Sequence, residues 1–291
     1  MKNGKIGFVG IGIMGAPMVR RLMAQGWQVS IWNLEPERYA QAPGATVLES
    51  PAAVRAASDI VITCVLNADA VEQCCFGPQG LARADLGADL LIDCSTVNPD
   101  DTLKLARRLK LEAGMSWVDA PISGGPAAAA DGQLTIMAGG DEKHIARAGA
   151  VLGDLASNFT HIGALGAGQT AKIINQAIVG VGYVLMGETL ALAEAAGIDA
   201  ARLPAALAGG MADSTVLKRI YPQQQARDYE PPRGYARQLD KDLKNVMTFV
   251  KAHGLALPLV TEAAARYHEF AGDNPMVDSA AVARLYEKQK S

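Results

Sequence analysis

Residues 5–35 read KIGFVGIGIMGAPMVRRLMAQGWQVSIWNLE. An apolar run at 6–9 leads straight into Gly10-Ile11-Gly12-Ile13-Met14-Gly15, and a helical pattern carrying Met18, Leu22 and Met23 follows at once. After Gly26 a second short apolar run, 29–32, completes a strand–helix–strand unit. A G-x-G-x-x-G sequence alone often does no more than pack a helix onto a strand. Between a strand and a helix it has a further use: glycine permits the tight turn and lets backbone amides approach a pyrophosphate, whose charge then lies at a helix N-terminus. The stretch therefore predicts a dinucleotide site, with Gly10, Gly12, Ile13, Met14 and Gly15 in the turn.

Working outward, strand-like runs recur at 60–65, 90–94, 117–119 and 134–138. Helical patterns lie between most of them, at 16–25, 51–57, 69–75 and 99–113. Such alternation predicts an α/β Rossmann-type doubly wound, mostly parallel sheet, whose ligands sit beyond the carboxyl ends of the strands. Val65 and Leu66 are counted with the cofactor-binding residues. From about Gly166 the texture changes to one long apolar helix over 169–196, roughly 40 Å at ~1.5 Å per residue. Further helices are expected at 201–208, 215–221, 239–252, 258–270 and 279–288, with a proline-rich loop at 229–233 and no further strand. The expected domains are 1–163, which binds the dinucleotide, and 164–291, an all-α substrate and oligomerisation domain opening on a long interdomain helix.

Composition narrows the function classes. The 291 residues are 49% hydrophobic, ample for a core, and the net charge of −3 offers no surface for nucleic acid or an anionic membrane. Lys288-Gln289-Lys290 reads as a solvated tail. Cys64, Cys74, Cys75 and Cys94 have no C-x-x-C spacing and read as reduced thiols. The four histidines show no metal spacing, so no metal is expected, and His161 reads as structural. The N-terminus enters a strand without a cationic and apolar leader, and the apolar stretch 177–186 is short and broken by glycine. A cytoplasmic protein is expected. The apolar helix needs covering on every side, which predicts a homodimer or homotetramer.

Three more segments carry chemistry. Asp93-Cys94-Ser95-Thr96 closes a strand with hydroxyl groups suited to a cofactor ribose or amide; alternatively Thr96 or Asn98 caps the next helix before Pro99. Asp119-Ala120-Pro121-Ile122-Ser123-Gly124-Gly125-Pro126 offers backbone N–H groups and a hydroxyl, a nest that suits a carboxylate, although a plain glycine turn has the same letters. Gly166-Ala167-Gly168-Gln169-Thr170-Ala171-Lys172 opens the long helix, with Asn175 and Gln176 at i+3 and i+4 from Lys172. A lysine usually snorkels to solvent. This helix is apolar nearly all round, and a cation near a helix N-terminus opposes the dipole. Lys172 stands where local physics disfavours it, which argues for a task.

In order and spacing, GIGIMG, DCST, DAPISGG, GAGQ-x-x-K-x-x-NQ and Lys241-Asp242-Leu243 resemble the β-hydroxyacid dehydrogenase family. That family includes 3-hydroxyisobutyrate dehydrogenase, tartronate semialdehyde reductase and the glyoxylate/succinic semialdehyde reductases. The resemblance covers residues 5 to about 286. It implies a hydride transfer between a nicotinamide cofactor and a small hydroxy acid, with Lys172 as the catalytic lysine. It also implies that Ser123, Gly124 and Gly125 anchor the substrate and that Asn175 and Gln176 steady substrate and lysine. Thr96 would stand beside the nicotinamide and Lys241 on the cofactor side, with Asp242 orienting its helix. A desolvated lysine near an oxidised nicotinamide is expected to have a lowered pKa. Imine reductases share the architecture but usually carry another proton donor at the lysine position. A non-catalytic NAD(P)-binding module would have lost the lysine or the glycines.

After strand 29–32 comes Asn33-Leu34-Glu35-Pro36-Glu37-Arg38. An acid there selects the ribose hydroxyls of NAD, whereas an arginine serves the 2′-phosphate of NADP. Asn33 replaces the acid, Glu35 should repel a phosphate, and Arg38 could reach back and offset that repulsion. The balance favours NAD over NADP. Asn175-Gln176 and the loop 207–214 look closer to the tartronate semialdehyde reductase branch, with 3-hydroxyisobutyrate or threonate-like acids as alternatives.

Overall fold

The computed structural model describes residues 4–287. The basic tail 288–290 lies outside them. The chain forms two compact units that part between Lys172 and Ile173.

The first unit is built on β1 (Lys5–Val9), α1 (Gly15–Ala24), β2 (Gln28–Trp32), β3 (Thr46–Val47), α2 (Pro51–Ala56), β4 (Ile60–Thr63), α3 (Ala68–Phe76), β5 (Leu90–Asp93) and α4 (Pro99–Ala113). It continues with β6 (Ser116–Asp119), β7 (Ile122–Ser123), α5 (Gly125–Asp131), β8 (Leu134–Gly139), α6 (Glu142–Leu152) and β9 (Ala156–Gly163). The sheet order is β3-β2-β1-β4-β5-β6-β8-β7, with β9 on β8. Every pairing from β3 to β6 is parallel, β8 runs antiparallel to β6 and β7, and β9 is parallel to β8. Alternation along the strands sends Ile6 and Phe8 to one face, with Met18 and Leu22, and Val9 and Val61 to the other, with Val54 and Leu91. Both faces are covered, as a parallel sheet requires. Burying a side chain such as Phe8 stabilises by about 1.5–3 kcal/mol. A Cβ on Gly7 would meet Val54 Cγ1 at 2.5 Å, so α2 packs against bare backbone there.

The strand register matters for the site. Thr63 pairs with Asp93, and Asp93 with Asp119. The three form a row across the carboxyl ends of β4, β5 and β6, all fully buried.

Several expectations are corrected. The run 60–65 ends as a strand at Thr63, leaving Val65 and Leu66 in the following turn. The helices α5 and α6 occupy stretches that had no expected element, and β9 was not anticipated because its side chains are mostly exposed and polar.

α7 (Ala167–Ala195) begins in the first unit and continues into the second, followed by α8 (Leu203–Ala206), α9 (Thr215–Gln225), α10 (Ala236–Ala252) and α11 (Pro258–Asp273). The last segment is a 3₁₀ helix, Ser279–Tyr286, rather than the expected α-helix to 288. Among the described residues of this unit the sole β pairing is a single bridge between Tyr235 and Asp278. Leu239, Leu243, Tyr267, Phe270 and Val282 form its core with Val184 of α7. The membrane reading of 177–186 also changes. Glycine does not interrupt α7, and the 29-residue helix is long and apolar enough to cross a bilayer, with mean hydropathy 1.4 in its most apolar stretch. Of that stretch, 44% is buried inside the protein.

Candidate active site

The glycine turn follows β1. Gly10 has φ +104°, and a Cβ there would stand 2.4 Å from the Cys64 carbonyl oxygen; one on Gly15 would stand 1.9 Å from the Gly10 carbonyl oxygen. Both positions therefore exclude side chains on steric grounds. Gly12 differs: a Cβ there would meet nothing within 4 Å. Its bareness serves no packing contact, which fits backbone approach to a phosphate. Helix α1 has no side-chain N-cap and no acid in its first turn, so its positive end is left for an external anion. The residues present thus fit a dinucleotide, with Ile13 and Met14 half-buried in the turn.

Asn33 is buried and its carboxamide is committed within the protein. Its Oδ1 accepts from the Ile11 N–H at 2.7 Å, and its Nδ2 donates to the Glu35 carbonyl at 3.0 Å. It shapes the glycine turn from below. Arg38 pairs with Glu35 through its Nε, so neither charge stands alone at the position that tells ribose from ribose phosphate. The Val65 N–H donates to Ser95 Oγ at 3.0 Å, while Leu66 is exposed in the same turn. Asn98, and not Thr96, caps α4 through the Asp100 N–H, which removes the capping role from Thr96.

Gly124 and Gly125 both have positive φ, 131° and 78°, directly after Ser123 on β7. Lys172 is 6% exposed, and its Nζ donates to the Ile122 carbonyl at 2.8 Å. The structure therefore brings Lys172 to the residue next to Ser123 and the two glycines, although 50 positions separate Lys172 from Ile122 in the chain. A cation beside a hydroxyl and a glycine turn can hold a carboxylate and exchange a proton with a neighbouring oxygen.

In the second unit, Asn175 Nδ2 donates to Gln176 Oε1 at 2.7 Å, and Gln176 Nε2 donates to Asp242 Oδ2 at 2.7 Å. Asp242 Oδ1 pairs with Lys241 Nζ at 2.7 Å. These four side chains form one polar chain joining α7 to α10.

Sequence reasoning passed over the acids beneath the site. Asp119 Oδ1 accepts from the Gly166 N–H and Oδ2 from the Gln169 N–H, both at 2.8 Å, so this buried carboxylate anchors the start of α7. Burial raises its acid, against the downward pull of those amides. Asp93 accepts from Thr63 Oγ1 and the Ser95 N–H, while its Oδ2 is buried without a partner. Burial pushes Asp93 up to about 6, helped by the charge of Asp119 and opposed by Ser95 and Thr63. Gln169 was quoted only as part of a motif, yet its carboxamide bonds both Ser95 and Val97. An acid within an apolar strand end was the available signal for Asp93 and Asp119.

The remaining candidates are structural. Cys75 and Cys94 are pushed well above the usual thiol range, chiefly by burial, which makes them inert. His161 Nε2 lies 2.8 Å from the Gly163 carbonyl oxygen and 3.0 Å from that of Gly140. Among the described residues, no three His, Cys, Asp or Glu side chains are grouped to hold a metal.

Comparison with known proteins agrees with the fold. Residues 5–163 match the family described as the NAD binding domain of 6-phosphogluconate dehydrogenase. Residues 166–286 match that described as NAD-binding of NADP-dependent 3-hydroxyisobutyrate dehydrogenase. The chain is 36% identical to 2-hydroxy-3-oxopropionate reductase of Escherichia coli over 256 residues, 87% of each protein. It is 34% identical to a probable 3-hydroxyisobutyrate dehydrogenase of Mycobacterium tuberculosis over 287 residues, 95% of this chain and 96% of that one. Among solved structures, the Mycobacterium tuberculosis 3-hydroxyisobutyrate dehydrogenase with L-serine superposes with a TM-score of 0.85 at 32% identity, covering 97% of this chain and 98% of that one.

Proposed function

The chain belongs to the β-hydroxyacid dehydrogenase family, and on that premise we propose that it interconverts tartronate semialdehyde (2-hydroxy-3-oxopropionate) and glycerate. It is an NAD(P)-dependent oxidoreductase acting on CH–OH groups. The observation that carries the site reading is the 2.8 Å bond from Lys172 Nζ to the Ile122 carbonyl, which holds the ammonium next to Ser123, Gly124 and Gly125. The substrate carboxylate docks on the Ser123 hydroxyl and the glycine amides. A bound reduced nicotinamide supplies the hydride. Lys172 donates its proton to the carbonyl oxygen as that oxygen gains charge; in the oxidative direction neutral Lys172 takes the alcohol proton. Positioned proton transfer of this kind contributes about 10²–10⁴-fold. Asn175, Gln176 and Lys241 are the residues proposed for the site in the helical unit.

The choice of tartronate semialdehyde is supported by the Asn175-Gln176 pair, by the loop 207–214 and by the similarity to the Escherichia coli reductase. The proposed cofactor preference is NAD, because Arg38, in the segment that follows β2, is paired with Glu35. Self-association through the helical half is part of the same proposal. Ile174, Ile178, Leu185 and Leu192 remain exposed along α7, spaced so that they fall on one face.

A panel of tartronate semialdehyde, methylmalonate semialdehyde, a threonate-type acid and a cyclic imine, each with NADH and NADPH or the oxidised forms, tests the assignment by nicotinamide absorbance. Tartronate semialdehyde with NADH should give the highest kcat/KM. A higher value for one of the other acids replaces the substrate. Turnover confined to the imine, or none on any carbonyl, overturns the proposal.

A further inference from the structure

We infer that Gln169 is a positioning residue that locks the loop carrying Thr96 to the helical turn carrying Lys172; the inference rests on the role proposed above for Lys172 and on the place beside the nicotinamide that the family resemblance implies for Thr96. Gln169 is 0% exposed. Its Nε2 donates to the Ser95 carbonyl at 2.8 Å, and its Oε1 accepts from the Val97 N–H at 3.1 Å. These are the two backbone groups that flank Thr96. A primary carboxamide presents a donor NH2 and an acceptor oxygen in a single plane, so the two bonds together fix the loop in translation and in rotation. A methionine of similar volume supplies neither bond, and asparagine, one methylene shorter, cannot reach both groups.

The backbone of the same residue is fixed independently, because its N–H donates to Asp119 Oδ2 at 2.8 Å. The loop is held from its other side as well. The Ser95 N–H donates to Asp93 Oδ1 at 3.0 Å, and Ser95 Oγ accepts from the Val65 N–H at 3.0 Å. Gln169 thus adds a side-chain tie between this loop and α7 to the tie that Asp119 makes from β6. Lys172 follows three residues later, a rise of about 4.5 Å along the helix. The Gln169 side chain therefore sets the place of Thr96 relative to the turn that carries Lys172.

A purely structural role would also satisfy two buried backbone groups. The two readings part on kinetics. A structural clamp, once lost, lowers the folded fraction and leaves kcat per folded enzyme unchanged. A positioning clamp, once lost, lowers kcat in enzyme that is fully folded, because misplacement of reacting groups by about 1 Å costs on the order of 10²-fold.

The test compares full-length wild type, Gln169→Met, Gln169→Asn and Lys172→Ala on the semialdehyde that wild type reduces fastest, with NADH. Melting temperature and NADH binding, read by nucleotide fluorescence, give the folded fraction. Gln169→Met should lose about 10²-fold in kcat with KM for the acid moved by less than about threefold. Gln169→Asn should lose about tenfold, and it decides the matter if the methionine variant does not fold. Wild-type kcat in either folded variant, beside an inactive Lys172→Ala, overturns the inference and leaves the function proposed for Lys172 standing. An active Lys172→Ala overturns that function first, and this inference with it.

Discussion

Gln169 and Gly180 lie on the same helix and are held by different forces. At the start of α7 the contacts are directional. Asp119 takes two backbone N–H groups, Gln169 bridges Ser95 and Val97, and Lys172 reaches the Ile122 carbonyl. Further along, close packing against small residues takes over. A Cβ on Gly180 would meet Leu243 Cδ2 at 2.4 Å, one on Gly182 would meet Val216 Cγ1 at 2.9 Å, and one on Gly187 would meet the Ala283 Cα at 3.0 Å. Dispersion is weak per contact and indifferent to small rotations, whereas a hydrogen bond loses strength steeply with angle. Packing therefore stabilises a helix, and polar bonds fix where its side chains end up. The proposed chemistry lies at the polar end.

The strongest way to break this contrast is to attack Asp119. Asp119→Ala leaves the Gly166 and Gln169 amides buried without acceptors, at about 1–3 kcal/mol each. The raised acid of Asp119 shows that burying it is itself unfavourable, so the net loss should fall near the lower end, about 2–4 kcal/mol by denaturant unfolding. Activity should fall further than stability explains. A variant that melts early but keeps wild-type kcat would make the polar end no different from the packed one.

Asp93 sharpens the contrast through pH. Its acid is raised from 3.8 to about 6, so the folded state holds a proton that the unfolded chain has released. The associated stability is fully present below about pH 4, is lost as pH rises through 6, and is flat above. The shift of roughly two units corresponds to about 3 kcal/mol. Asp93→Asn should abolish that part of the profile, so that the difference in unfolding free energy between wild type and variant declines from pH 4 to pH 7. An unchanged difference would mean that Asp93 does not titrate in this window.

The smallest effect is expected at the packed end. Gly180→Ala pushes against buried Leu243, which costs about 1–3 kcal/mol, while helix propensity returns about 1. A net loss of about 1 kcal/mol, with kcat per folded enzyme unchanged, should appear in paired melting and steady-state measurements. A lowered kcat would show that packing here also positions the chemistry.

The glycine turn was legible because strand, turn and helix are contiguous, so residues 5–35 contain everything that specifies them. The helix α7 and the alternation of strands and helices were legible for the same local reason. α5 and α6 were not. Gly125–Asp131 follows a glycine pair with an alanine run, and Glu142–Leu152 buries only Ile145, Ala148, Val151 and Leu152, a thin apolar stripe. β9 presents mostly exposed polar side chains, so the usual alternation is faint. The polar network was hidden for another reason. Gln169 finds its side-chain partners 72 and 74 positions away, and Asp119 its own 47 and 50 away, and those partners are backbone groups that carry no sequence signal. Asn33 stands in the sequence where an acid would meet the ribose, and the bond from the Ile11 N–H to its carboxamide is a contact that only the fold makes visible.

Lys172 offers the most direct measurement. Wild type and Lys172→Ala, each saturated with NADH, are mixed with excess semialdehyde, and the single-turnover loss of nicotinamide absorbance is followed. The expected result is a rate lower by about 10²–10⁴-fold with the NADH dissociation constant unchanged. A rate within a few-fold of wild type, with the cofactor still bound, would contradict the assignment of the proton to this lysine.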